Sequence, residues 1–205
     1  MYKEGYGNIP NKDKIIDYLE KAYENNPGKW IAKAWRMGQI AEKIAEDLEL
    51  DSDIAFACAS LARLSDGYEE GFKGNICAYE ILRADSYFFP ARISITRSFP
   101  IKDINYCINE LNISVKEKEF VNNFLYKYPY TDYDYLIQYL DFLVGREDLS
   151  LDSLKDLDHP HSEEIYSRIY DLHDYFTKKL EKPIETYMPK TKRYKFPYRL
   201  FPKDK

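Results

Sequence analysis

Residues 30–48 set the first constraint on the fold. Met37, Ile40, Ala41, Ile44 and Leu48 recur at the spacing that puts them on one face of an α-helix. Lys33 falls on the same face, so a charge heads an otherwise apolar stripe. The same period runs through most of the chain. Asn11 can cap a helix from about Lys12 to Glu24, stopped by Asn25-Asn26-Pro27-Gly28. Asp51-Ser52-Asp53 is a strong start signal, and the helix that follows, Ile54 to Leu64, is apolar on most sides and so reads as central. Ser65-Asp66-Gly67 ends it. Residues 67–74 hold three glycines and read as a loop. Further helices are expected over 75–84, 89–97, 115–126 and 132–145, the last capped by Thr131 or Asp132. A short one is expected at 150–157 and a longer one from Ser162 to Leu180. No strand pattern, internal repeat, heptad, P-loop or dinucleotide fingerprint appears. The chain therefore reads as all-α.

A length of 205 residues and an apolar content of 44 % fit one globular domain. We divide the sequence into a helical domain, residues 1–189, and a basic aromatic tail, residues 190–205. The net charge of −5 is unevenly spread. The tail carries seven basic residues against Asp204, a net +6, which leaves −11 on residues 1–189. Lys192-Arg193-Tyr194-Lys195-Phe196 and the residues after it interleave cations with aromatics, as single-stranded nucleic-acid binders do. The acidic body would repel a polyanion, which favours docking of the tail on its own body, a second subunit or a protein partner. Cys58, Cys77 and Cys107 have no CxxC spacing, and an odd, scattered set points to a reducing compartment. The polar start MYKEGYGNIP does not read as a secretory signal, and no apolar run approaches the ~18–20 residues of a membrane span. A cytoplasmic location is expected.

Several strings in order carry a family resemblance. They are Asn26-Pro27-Gly28-Lys29-Trp30, Ile40 to Glu46, Leu50-Asp51, Ala78-Tyr79-Glu80-Ile81-Leu82, Thr96-Arg97-Ser98-Phe99-Pro100, and Leu136-Ile137-Gln138 leading to Asp141. Together they resemble small bacterial phosphohydrolases of the HD-domain superfamily, from Asn26 to about Pro189. The resemblance implies an HD-like helical bundle. In that family, histidines and a His-Asp pair bind a divalent metal that activates water against a phosphoester. The matching positions here are Lys33, Ala62-Arg63, Gly74, Arg97 and Asp141. Only Asp141 keeps a ligand type, and the chain's three histidines, His159, His161 and His173, lie elsewhere. The resemblance thus implies a degenerate member, without the usual metal, any other cofactor, or the family's catalytic residues.

The replacements share a charge. Lys33, Arg63 and Arg97 would point toward the old pocket with Asp141 among them. One reading is structural: Arg63 or Arg97 pairs with Asp141 and fills the hole. Another is a ligand-binding remnant pocket, because arginines match phosphate bidentately and Lys33 adds a point charge. A third is metal-independent hydrolysis, although no general base is evident. A closed pocket would leave a protein-interaction module.

Other residues read more plainly. His159-Pro160-His161 reads as a polar loop before a helix, and His173 as a half-buried or exposed helix position. Asp66 reads as a turn residue. Tyr126, Tyr128, Tyr130, Tyr133 and Tyr135 read as core and rim packing near the helix that carries Asp141.

Overall fold

The structure is a computed structural model that describes residues 1–145 and 148–189. The tail reading at 190–205 lies outside the described residues. In chain order the α-helices are α1 (Lys12–Asn25), α2 (Trp30–Asp47), α3 (Ser52–Ala62), α4 (Phe72–Ala84), α5 (Phe88–Thr96), α6 (Val115–Lys127), α7 (Asp132–Leu143) and α8 (Ser162–Lys179). The 3₁₀ turns Leu64–Gly67, Ile104–Tyr106, Leu151–Asp156 and Ile184–Tyr187 join or follow them. The all-α expectation holds for the described residues. One departure is a short hairpin, Tyr2–Lys3 with Gly7–Asn8, too brief to produce an alternating pattern.

Helix α3 is the axis. Every residue from Ile54 to Ala62 is buried, and α1, α2, α5 and α7 pack around it. Its start follows from Asp51, whose carboxylate accepts from the backbone N–H of Asp53 at 3.0 Å and of Ile54 at 3.2 Å. Met37, Ile40, Ala41 and Ile44 of α2 are fully buried, so the apolar stripe of the sequence is its core face. A smaller apolar cluster, including Phe72, Ile76, Phe99, Val121 and Phe124, lies beneath α6. That helix begins with a capping box formed by Ser114 and Glu117.

Three boundaries differ from expectation. Helix α3 ends at Ala62, and the chain tightens into the 3₁₀ turn at Leu64–Gly67. Residues 67–74 are not all loop, since α4 starts at Phe72 and Gly74 lies inside it. The segment at 150–157 is a 3₁₀ turn, not an α-helix. Both glycines permit close backbone approach. A Cβ on Gly74 would stand 2.3 Å from the Glu69 carbonyl oxygen and 2.8 Å from that of Ser65. A Cβ on Gly67 would stand 2.4 Å from Ala22 Cβ and 2.8 Å from the Ala22 carbonyl oxygen. Asn25 and Asn26 hold the same turn from the end of α1, donating to the carbonyls of Gly67 and Asp66 at 2.6 and 2.8 Å.

Among the described residues no helix is long and apolar enough to cross a membrane. The turn at 64–67 leads to a first prediction. Gly67→Ala forces a methyl group against the Ala22 side chain and carbonyl, so it is expected to destabilise the fold by about 1–3 kcal/mol. Thermal unfolding should show a fall of roughly 2–4 °C per kcal/mol for a chain of this size. An unchanged melting temperature would mean that α1 and the turn are not packed this closely.

Candidate functional site

Three helix C-termini meet at one point. Arg63 is the C-cap residue of α3, Arg97 is the C-cap residue of α5, and Asp141 lies in the last turn of α7. Each helix C-terminus carries roughly half a negative charge, so cations there are favourable and a further carboxylate is not. The side chains resolve the conflict directly. Arg63 Nη1 donates to Asp141 Oδ1 at 2.8 Å, and Arg97 Nη1 donates to Asp141 Oδ2 at 2.7 Å. Both carboxylate oxygens are thus held, one by each arginine. The sequence reading offered one arginine or the other, and the structure has both.

Lys33 reaches the same residue from α2, but chiefly by another atom. Its Nζ donates to the Asp141 backbone carbonyl at 2.5 Å and lies 3.6 Å from Oδ1. That carbonyl is one of the last four of α7, which have no partner within the helix. The other three are satisfied locally: Leu140 by Val144 N, Phe142 by Ser153 Oγ, and Leu143 by Ser150 N. Lys33 is therefore a C-terminal cap of α7 as well as a charge.

Asp66 completes the cluster, and sequence reasoning saw it only as a turn residue. It sits in the 3₁₀ turn as expected. Its carboxylate also pairs with Arg63 Nη2 at 2.5 Å and lies 3.6 Å from Arg97 Nη2. Ser65 Oγ accepts from Arg97 Nη2 at 3.0 Å and donates to Asp66 at 3.2 Å. The available signal was the spacing of three between Arg63 and Asp66 across a helix end. The cluster therefore holds three cations, two carboxylates and three negative helix ends.

The charges perturb one another. Burial alone would raise the pKa of the Asp141 carboxyl, but the two guanidiniums and Lys33 outweigh it and hold it well below the usual carboxylate range. Burial pushes the Lys33 pKa down and Asp141 pulls it up. Arg63 and Arg97 push it down again, and it ends below the usual ammonium value. Burial would lower the Arg63 pKa, but Asp141 and Asp66 raise it above the ordinary guanidinium value. Arg63 is a permanent cation here.

A cavity of about 250 Å³ opens beside the cluster. Arg63, Arg97, Ser65 and Asp66 line it together with the exposed Glu69 and Glu70. Asn26 and Asn109 add two amides to its wall. Asn109 itself is tied to Asn75 and to Ser98. Lys33 and Asp141 belong to the ion cluster but not to the cavity wall. Of the four residues singled out in the sequence, all four meet, and two face the cavity. The Nε–H groups of Arg63 and Arg97 are buried without a partner, an uncommon state for a buried donor.

The residues do not fit the metal that the family resemblance implies. At the positions that the resemblance assigns to ligands, the one donor is the Asp141 carboxylate, whose two oxygens already accept from guanidiniums, with three cations around it. Gly74, at a position the resemblance assigns to a ligand, has no room for a side chain. Among the described residues no group of three or more His, Cys, Asp or Glu is placed to hold a metal ion. His159 Nδ1 accepts from the His161 backbone N–H, and His173 Nδ1 lies 2.7 Å from the Tyr139 hydroxyl. The tyrosine cluster divides: Tyr133 is buried, the Tyr130 hydroxyl donates to the Phe99 carbonyl, and Tyr126 is exposed. No protein-family model, curated protein or solved structure matches the chain.

The depressed Asp141 pKa fixes the sign of a pH effect. A carboxyl whose pKa is lower folded than unfolded stabilises the fold above its unfolded value, about 3.9. That stability is lost as pH falls from there toward the folded pKa. Asp141→Asn is expected to cost about 3–5 kcal/mol at neutral pH, because it strands buried cations. Its stability should also fall less steeply than wild type below about pH 4. Urea unfolding of both proteins at neutral and acid pH measures this; parallel pH profiles would assign the acid transition to other carboxyls.

Proposed function

We propose that this chain is a metal-free, non-hydrolytic protein of HD-like descent that binds a small phosphorylated or otherwise anionic ligand in the cavity beside its ion cluster. The HD-like bundle and its degenerate state rest on the ordered sequence strings and on the substitutions at Lys33, Arg63, Gly74 and Arg97. The observation that carries ligand binding is the pair of arginines, Arg63 and Arg97, that line one cavity. An acceptor-rich ligand group would meet two guanidiniums there, and charge-assisted hydrogen bonds are the strong ones. Hydrolysis is not part of this reading. Asp141, the remaining acid of the family pattern, is pinned by two guanidiniums and is too weak a base to activate water.

A second reading has its own support. Arg63 and Arg97 already spend donors on Asp141 and Asp66, as they would in a purely structural plug with function carried by an outer surface or the 190–205 tail. Titration calorimetry with inorganic phosphate, with and without chelator, separates the two. Binding that chelator leaves unchanged, and that weakens about tenfold or more in Arg63→Lys through loss of the fork geometry, is expected. Absence of binding in the folded wild type would leave the structural plug. A requirement for Mn²⁺ would overturn the metal-free reading.

A further inference from the structure

We infer that the ligand of this cavity is a small zwitterion, a phosphorylated amine whose phosphoryl group meets the arginines and whose ammonium group meets the acidic residues. The inference rests on the anion-site reading above and narrows it. Its first support is charge. Arg63 and Arg97 line the cavity, and so do Asp66, Glu69 and Glu70. Asp141 and the helix ends already offset much of the arginine charge from behind. A plain dianion would gain two guanidiniums and face three carboxylates. A ligand with charges of both signs satisfies both sets.

The second support is the order of burial. Arg97 is 3 % exposed and Arg63 is 22 % exposed at the side chain, whereas Glu69 and Glu70 are exposed. The anionic end of the ligand therefore belongs at the buried side of the cavity, and the cationic end at its mouth. Asp66 lies between, already paired with Arg63. A phosphoryl group that displaces the Asp66 carboxylate takes its place on Arg63, and Glu69 and Glu70 receive the ammonium at the mouth.

The third support is size. The cavity volume is about 250 Å³. It falls below the ~300–1,000 Å³ of pockets that hold drug-sized ligands. A molecule of phosphoethanolamine's size fits within it.

Calorimetry on the full chain tests this with three probes: phosphoethanolamine, glycerol 3-phosphate and inorganic phosphate. Glycerol 3-phosphate has similar bulk but hydroxyls in place of the ammonium. Phosphoethanolamine is expected to bind about tenfold more tightly than either, on the order of 1.4 kcal/mol. In the double variant Glu69→Gln/Glu70→Gln, both exposed positions, that preference should disappear while phosphate affinity holds or rises. Equal binding of phosphoethanolamine and glycerol 3-phosphate overturns the zwitterion inference and leaves the anion site standing. Binding of none of the three overturns both.

Discussion

The structure turns on the Asp141 carboxylate held between Arg63 and Arg97. Three helices direct their C-terminal ends at one point, and such ends attract positive charge. An acidic residue in the last turn of α7 adds to the need. The chain answers with two guanidiniums and one ammonium from three different helices. Removing the cations would leave a buried carboxylate among helix ends of the same sign. Removing the carboxylate would leave three cations crowded together. Neither half is stable alone, which is why the ends of α3, α5 and α7 and the first turn of α2 are locked to one another.

The cluster is the last step of a polar line along α7. Asp134, Gln138 and Asp141 recur at one turn and then nearly another, and all three are buried. Asp134 accepts from Thr96 at 2.6 Å and from Arg92, and it also caps the start of α7 through Thr131. Gln138 donates to the carbonyls of Thr96 and Phe99 at 2.9 and 3.1 Å. The partners Arg92, Thr96, Arg97 and Phe99 lie on α5 or just after it. Buried polar pairs add little net stability compared with apolar packing, but a mismatch costs several kcal/mol. The polar line therefore fixes the register of α7 against α5, and the register brings Asp141 to Arg97.

Much of this was legible in the sequence because it rests on local rules. Period and capping place α1, α2, α3, α6 and α7 to within a few residues, since apolar stripes and Asx or Ser/Thr caps act over four residues. Lys33, Arg63, Arg97 and Asp141 were singled out by the family resemblance of the strings around them, and the structure brings the four together. What was not legible depends on distance in space. The role of Asp66 needs α5 to bring Arg97 beside a turn 31 residues earlier. The capping role of Lys33 needs the end of α7. That Gly74 has no room for a side chain depends on the carbonyls of Ser65 and Glu69, which the fold brings against it. The two-residue strands near the start are simply too short to carry a pattern.

The cluster's members are not equally committed, and this decides how a ligand can enter. Asp141 is buried at 5 % side-chain exposure and bound through both oxygens and its carbonyl. Asp66 is exposed to 22 %, touches the arginines through one close contact and one longer one, and belongs to a short turn rather than a helix. An incoming acceptor competes with water-accessible Asp66 at far lower cost than with Asp141, because the latter exchange would break three helix ends apart. Under the proposed reading, Asp66 is the resident anion that a ligand replaces, and Asp141 is the fixed counter-charge that keeps both guanidiniums oriented while the exchange takes place.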